Sequence, residues 1–379
     1  MKRILNFSCG ILCLALAAIA ASGCNSTEGD KSVKPDSGKS LKRVVLLINN
    51  PSPYWETARA GMNAASKDLK LADAGLEAVF QANDGTTTGQ LERLRQLSTA
   101  ADVVGVCVSA VEADNLAVVE ELRNLRKKGV HVICFDSDFN RAKYRDAREY
   151  YIGTDNIQAG RALGLAAKQL LEARKVDHGD YIDFVGYVGA QNAMERMDGF
   201  KETMGSAYSE VGRMEDGGAR PKAHETVRSA LLAHPDLVDL VGIWSYNAPA
   251  ICDVVEQDYA AKRKQFTITT FDAEPGAIAG IGNGLIDVMV VQDPFDMGYQ
   301  ATRLLKALHE NDQAVVKELF PNAGKPDGDL HDTGLKVVVP DDKSPVTADL
   351  FKAKFGDTVK FMTLPDFQEW LKKYGLTGS

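Results

Sequence analysis

Seven short apolar, β-branched runs each end on, or soon lead to, a polar or aromatic residue, and this recurrence constrains the chain more than any single motif. The runs are RVVLLI (43–48), VGVCVS (104–109), HVICFD (131–136), YIDFVGY (181–187), LVGIWS (240–245), FTITTFD (266–272) and IDVMVVQ (286–292). Read as strands, they alternate with amphipathic stretches of helical rhythm at 58–67, 89–99, 113–128, 157–173, 193–204, 222–233, 250–261 and 297–308. Ala82, Ser109 and Asp136 end successive strands at a constant spacing of 27 residues. That is one strand plus one crossover helix, which predicts an α/β fold with a parallel sheet and right-handed crossovers. In open parallel sheets, ligands bind outside the carboxyl ends of the strands. The residues expected there are Ser52, Tyr54, Trp55, Ser109, Asp136, Ser137, Arg196, Asn247, Asp272 and Gln292. Together they read as a pocket for a small polar molecule with many hydroxyl groups.

The amino-terminal segment follows a different logic. Met1-Lys2-Arg3, an apolar stretch over 11–21 and Ser22-Gly23-Cys24 give the charged, apolar, small-residue order of a secretory signal. Its apolar core is shorter than the ~20 residues that a membrane span needs. The residues before Cys24 are similar to the lipobox of bacterial lipoproteins, with Ala21 where leucine is usual. That likeness implies cleavage after residue 23 and acylation of Cys24; an ordinary signal cut elsewhere is the other reading. Residues 25–40 supply Ser, Gly, Lys, Asp and Pro without an aromatic, so 24–41 is expected to be a flexible tether. The folded body would then sit on the periplasmic or cell-surface side of a bacterial membrane, lipid-anchored.

Removing the signal takes two of the 44 basic residues, leaving 42 against 52 acidic ones and a formal charge of −10. Such a balance argues against a nucleic-acid surface. Cys9 and Cys13 leave with the signal and Cys24 is the lipid candidate, so Cys107, Cys134 and Cys252 remain. An odd trio within apolar surroundings reads as small hydrophobes rather than a disulfide framework.

The remaining length fits two lobes. Crossings between them are expected at Tyr151-Ile152-Gly153-Thr154-Asp155-Asn156, after an Arg-rich loop over 141–149, and at Gln292-Asp293-Pro294, where proline takes a first helical turn. Asp332-Thr333-Gly334, ahead of a strand over 335–339, gives a third. The expected bounds are 42–152 with 293–332 for an N-terminal lobe and 153–292 with 333–344 for a C-terminal lobe. Residues 345–379 are expected as a C-terminal extension packing on the outside, with no functional reading.

Several segments carry a family likeness in order and spacing: Asn50-Pro51-Ser52-Pro53-Tyr54-Trp55, Phe135-Asp136-Ser137-Asp138, Tyr151 through Asn156 with Ala159-Gly160, and Asn192-Ala193-Met194-Glu195-Arg196-Met197-Asp198-Gly199-Phe200. Trp244-Ser245-Tyr246-Asn247-Ala248-Pro249-Ala250, Thr270-Phe271-Asp272 and Val291-Gln292-Asp293-Pro294 complete the set. Over roughly residues 42–340 the chain resembles the periplasmic sugar-binding proteins of the ribose-binding type, soluble receptors of ABC importers. The resemblance implies a type I periplasmic-binding-protein fold, two doubly wound parallel-sheet lobes joined by a three-segment hinge. It implies capture of a monosaccharide or related polyol between the lobes and presentation of the closed form to an ABC permease, by a monomer without cofactor or metal. It further implies that Tyr54 and Trp55 sandwich the sugar ring, whose C–H faces suit aromatic surfaces. Asp136, Arg196, Asn247, Asp272 and Gln292 would meet its hydroxyls, carboxylates accepting, arginine donating and amides doing both. Ser109 stands where ribose binders have asparagine, Ser137 where they have arginine, and 216–222 lacks the aromatic that closes over ribose. A different hydroxyl pattern, or a larger sugar, is therefore expected.

Each residue also has a plainer reading. Asp136, Asp272 and Asn247 could cap helices; Trp244, inside an apolar run, reads as core; Arg196 could pair with Glu195 or Asp198. Tyr54 and Trp55 could be helix-start packing residues, although Asn-Pro-Ser-Pro before them forces an exposed turn. Gly280-Ile281-Gly282-Asn283-Gly284 ends a helix and leads into a strand, so it is a C-cap and not a dinucleotide loop. Histidines 131, 178, 224, 234, 309 and 331 lack metal spacing, and no G-x-S-x-G elbow or Walker A loop occurs, so no enzyme is expected. Other classes compete nonetheless. A receptor read by a chemoreceptor or sensor kinase would use the same pocket. A repressor would need a DNA-binding headpiece where the signal and tether stand, and a hydrolase would use Asp136 and Asp272 as paired carboxylates.

Overall fold

The structure is a computed structural model describing residues 41–379, so the expected signal, the tether up to residue 40 and Cys24 lie outside the described residues. The first half of the chain lays down β1 (Lys42–Ile48), α1 (Tyr54–Asp68), β2 (Leu76–Ala82), α2 (Thr87–Thr99), β3 (Val103–Val108), α3 (Leu116–Lys127), β4 (His131–Phe135), a one-turn α4 (Arg141–Tyr144) and β5 (Tyr151–Gly153). A second α/β series follows in α5 (Asn156–Ala173), β6 (Gly179–Val185), α6 (Gln191–Met204), β7 (Tyr208–Glu215), α7 (Arg220–Ala233), β8 (Leu237–Gly242), α8 (Asn247–Asp258), β9 (Thr267–Phe271), α9 (Pro275–Gly282) and β10 (Val288–Val291). The chain then forms α10 (Pro294–Glu310), α11 (Gln313–Leu319) and β11 (Leu330–Asp332). It ends in β12 (Leu335–Val339), α12 (Ala348–Phe355), β13 (Val359–Thr363) and α13 (Leu364–Lys373).

These strands form two sheets, ordered β11-β5-β4-β3-β1-β2 and β13-β12-β10-β9-β8-β6-β7. All neighbours in the first run parallel, with Val45 beside Val106 in the β1–β3 pair. The reason is visible in β1, whose alternate side chains enter two cores. Val44, Leu46 and Ile48 pack with α1 and α10, while Val45 and Leu47 pack with α2 and α3. A strand covered on both faces has no polar side, which is why its sequence is a continuous apolar run. The two-lobe, doubly wound α/β architecture expected from the sequence is therefore present. It has one exception to parallel pairing, because β12 runs antiparallel to β10.

Three connections pass between the sheets, from β5 to α5, from β10 to α10 and from β11 to β12. At the second, Asp293 caps α10 by accepting from Asp296 N at 3.2 Å, with Pro294 in the first turn. Residues 345–379 do more than pack on the outside. β13 extends the second sheet beyond β12 in parallel register, Val337 beside Phe361, and Phe367 and Leu371 of α13 enter the second-lobe core.

Close helix contact sets the geometry of the second lobe. A Cβ on Gly160 of α5 would stand 2.1 Å from the Arg196 carbonyl, so only glycine lets α6 approach so nearly. That approach brings Asn156, at the start of α5, to 3.0 Å from Arg196 Nε. The lobes also touch each other around the cleft. Ala113 N donates to Gly189 O at 3.3 Å, Asp138 N donates to Gln191 Oε1 at 3.2 Å, and Arg141 bonds Glu195 at 2.7 Å. These contacts join the two lobes across the cleft in this structure.

Candidate functional site

Between the two sheets, a polar cavity with about 380 Å³ of free space, its mouth included, is lined by Asn49, Asn50, Ser52, Tyr54, Trp55 and Asp136 from the first lobe. Asn192, Arg196, Trp244, Ser245, Tyr246, Asp272 and Gln292 line it from the second lobe and the hinge. Every one of these residues lies at or just beyond a strand's carboxyl end or on the first turns of the helix that follows. Seven of the ten expected ligand residues therefore share one cavity: Ser52, Tyr54, Trp55, Asp136, Arg196, Asp272 and Gln292.

The three others are not among its lining residues. Ser109 stands behind Asp136, its hydroxyl donating to Asp136 Oδ2 at 3.1 Å. Ser137 is fully buried, its hydroxyl without a partner among the described residues. Asn247 turns away from the cavity, accepting from Trp244 N at 2.9 Å and donating to Asp216 Oδ2 at 3.0 Å. The capping alternatives fall too, since α4 is capped by Asn140, α9 follows Glu274, and no side chain caps α8.

The two aspartates hold the centre. Asp136 and Asp272 both adopt left-handed backbone conformations, with φ of 61° and 64°. Such values are uncommon outside glycine, although aspartate tolerates them better than most residues. Asp136 accepts from the Tyr54 hydroxyl at 3.0 Å and from Asn192 Nδ2 of the opposite lobe at 3.5 Å. Asp272 accepts from Gln292 Nε2 at 2.9 Å, and Gln292 Oε1 in turn accepts from Thr154 at 2.9 Å. Burial raises both carboxyls above the ordinary carboxylate range, Asp272 to about 6, although the Arg196 guanidinium opposes the shift in each case.

Arg196 is the cation between them. It is 1 % exposed, with Nη1 3.9 Å from Asp272 Oδ2 and its guanidinium 4.7 Å from the centre of the Phe271 ring. Nε and Nη1 are spent on Asn156 Oδ1 and Ile243 O, and Nη2 has no partner among the described residues. The plainer partners are engaged elsewhere, since Glu195 binds Arg141 and Asp198 binds Arg213. A buried guanidinium with a free N–H edge on a cavity offers a planar fork to a hydroxylated guest.

The aromatic walls differ from expectation. Tyr54 and Trp55 meet edge to face, centroids 5.1 Å apart and planes at 83°, so they cannot hold one ring between them. The run over 240–245 stops being a strand at Gly242, leaving Trp244, Ser245 and Tyr246 in the loop that lines the cavity. Trp244 is core on one side, as expected, but its ring also walls the cavity. It fits because residue 186 is glycine; a Cβ there would stand 2.1 Å from the indole. Its Nε1 donates to Asn192 Oδ1 at 3.3 Å. The loop at 216–222 has no aromatic, yet its Asp216 accepts the Tyr246 hydroxyl at 2.5 Å and fixes that ring in the cavity wall. Asn49, Asn50, Asn192, Ser245 and Tyr246 were not singled out as candidates, though all but Asn49 stand inside the segments that carry the family likeness.

Comparison with known proteins agrees with this fold. Residues 44–313 match the family described as periplasmic binding protein domain. The chain is 23% identical over 235 residues to a D-ribose/D-allose-binding protein of Pseudomonas aeruginosa, covering 60% of this chain and 69% of that protein. Among solved structures it is similar to an ABC transporter solute-binding protein from Burkholderia graminis in complex with D-arabinose, with a TM-score of 0.66 and 22% identity over 84% of this chain and 99% of the other. A glucose-galactose binding protein from Geobacillus stearothermophilus gives a TM-score of 0.65 at 25% identity, over 79% and 98%.

Proposed function

Because this chain belongs to the periplasmic binding protein domain family, we propose that its cleft captures a monosaccharide or related polyol by hinge closure, as the solute-binding component of an ABC importer. The observation that carries this reading is the pairing of charge across the cleft: Asp136 from one lobe, and Arg196 with Asp272 from the other, buried around one cavity. A hydroxylated ring satisfies all three at once, donating to the carboxylates and accepting from the free guanidinium edge. Because the partners lie in different lobes, such a ligand binds the closed state better than the open one and shifts the equilibrium by that difference. Trp55 of the first lobe and Trp244 of the second provide the apolar surfaces for its C–H faces.

On this reading the cleft releases its ligand unchanged, as a receptor of this binding-protein family would. The small residues ahead of Cys24 support a lipid anchor beside the cytoplasmic membrane. A thermal-shift panel of aldoses, ketoses and polyols at millimolar concentration tests the reading. At least one member raises the melting temperature of the mature protein; no shift from any of them removes the sugar assignment. A labelled ligand recovered intact after long incubation checks the absence of turnover.

A further inference from the structure

We propose that residues 374–379 form a strap that sets the second-lobe wall of the cleft, with Ser379 as a positioning residue for Asp272 and Gln292. The inference rests on the reading of the cleft as a ligand site and adds to it a part drawn from outside the two sheet-end loops.

The strap starts from a fixed point. A capping box between Thr363 and Asp366 opens α13, and Leu364, Phe367 and Leu371 are sunk in the second-lobe core. Tyr374 then packs on Phe295 of α10, centroids 5.7 Å apart, at the hinge. Further on, the Gly378 carbonyl accepts from Thr57 Oγ1 of α1 at 3.1 Å, so the strap reaches the first lobe. Ser379 is 2 % exposed. It exchanges two backbone hydrogen bonds with Ala273, Ala273 N to Ser379 O at 2.7 Å and Ser379 N to Ala273 O at 3.0 Å. Its hydroxyl donates to Gln292 O at 3.1 Å.

One residue thus grips the backbone beside Asp272 and that of Gln292, whose side chains bond each other inside the cleft. Asp272 holds a left-handed conformation that persists only where the surroundings over-determine it. The reciprocal pair at Ala273 supplies that determination from behind. The strap also shares a groove with α1 and the start of α9, and Tyr54, which lines the cleft, forms one wall of it. Removing the strap would free both the Asp272 turn and the side of the cleft that Tyr54 closes.

Hydrogen exchange of the intact chain, of a chain lacking residues 375–379 and of Ser379→Ala, all without sugar, tests the placement. Calorimetric titration of the same proteins with D-ribose, D-allose, D-arabinose and D-glucose tests the consequence. Deletion is expected to speed exchange at 271–274 by about tenfold or more, and leave the matching first-lobe turn at 134–138 unchanged. Whichever of these sugars binds the intact chain should bind the deleted one about tenfold more weakly, with Ser379→Ala shifting both readouts less and in the same direction. Unchanged exchange at 271–274 overturns the proposal, as does equal loosening of both turns, which would make the segment a general brace. Faster exchange with unaltered sugar affinity overturns the positioning role. Should none of the four sugars bind the intact chain, the panel member that raises its melting temperature takes their place in the titration, and the exchange contrast decides the strap by itself.

Discussion

Asp136 and Asp272 end their strands in the same left-handed turn, and each is bonded by its amide to the neighbouring strand, Asp136 N to Ile152 O at 3.1 Å and Asp272 N to Val290 O at 2.9 Å. Behind the turns the lobes part company. In the first, the Tyr151 hydroxyl from β5 donates to Asp136 O at 2.9 Å, so the support comes from the adjacent strand of the same sheet. In the second, the residue after Asp272 is paired with Ser379, which the chain reaches only after β12, β13 and α13. The first-lobe turn is complete once its sheet forms; the second depends on a late segment. The contrast extends to charge. Asp136 is met by Tyr54, Ser109 and Asn192, whereas Asp272 has Gln292 and a more distant Arg196.

Arg196→Met should have the largest effect, because it strips the cation from both carboxyls. A loss of about 3 kcal/mol of stability is expected from breaking a buried charge arrangement, with sugar affinity down about 100-fold. Urea unfolding and titration calorimetry read the two. A variant that binds normally would show that the guanidinium serves only the fold.

The pH response comes next. Asp272 keeps its proton up to about pH 6 when folded, against about 4 when unfolded. Folding therefore takes up a proton between those values, and stability falls as pH rises through the window and stays lower above it. The drop should reach up to about 3 kcal/mol, with Asp136 adding in the same direction. Asp272→Asn should flatten much of this slope in unfolding curves recorded from pH 4 to 7. A slope equal to that of the unaltered protein would assign it to other groups.

A smaller difference should separate the two aspartates in binding. Asp136→Asn is expected to weaken the sugar by more than about tenfold and Asp272→Asn by about tenfold, because the first carboxylate accepts more hydrogen bonds. Equal losses would mean that their different surroundings do not matter to the ligand. Tyr151→Phe should cost the least, about 1 kcal/mol for a buried hydroxyl shared between Asp136 O and Thr154 O, with more loosening at the first-lobe turn than at 271–274.

Much of this was legible from residues 43–48, 104–109 and 131–136, since strands buried on both faces leave unbroken apolar runs and their ends carry Asp136 and its counterparts. The edge strands were harder. β7 and β13 are half exposed and mix charged with apolar residues, so they hide from a search for apolar runs. Trp244 and Tyr246 were obscured for the opposite reason: apolar residues on both sides make a loop look like the end of a strand, and only the vacancy at Gly186 and the acceptor at Asp216 turn the rings into cavity walls. Ser109 and Asn247 were found as polar strand-end residues, but sequence spacing cannot tell a side chain facing the cavity from one supporting it. Ser379 left no local signal, because its partners stand about a hundred positions away in the chain.

The most direct test measures the lobes themselves. Spin labels at Glu120 on α3 and Glu225 on α7, both exposed and in different lobes, report the separation across the cleft by pulsed dipolar spectroscopy. With a saturating sugar chosen by the thermal-shift panel, the account predicts collapse of a broad distance distribution to one short, narrow peak, and no collapse in Arg196→Met. A distribution that the bound sugar leaves unaltered would contradict closure as the means of capture.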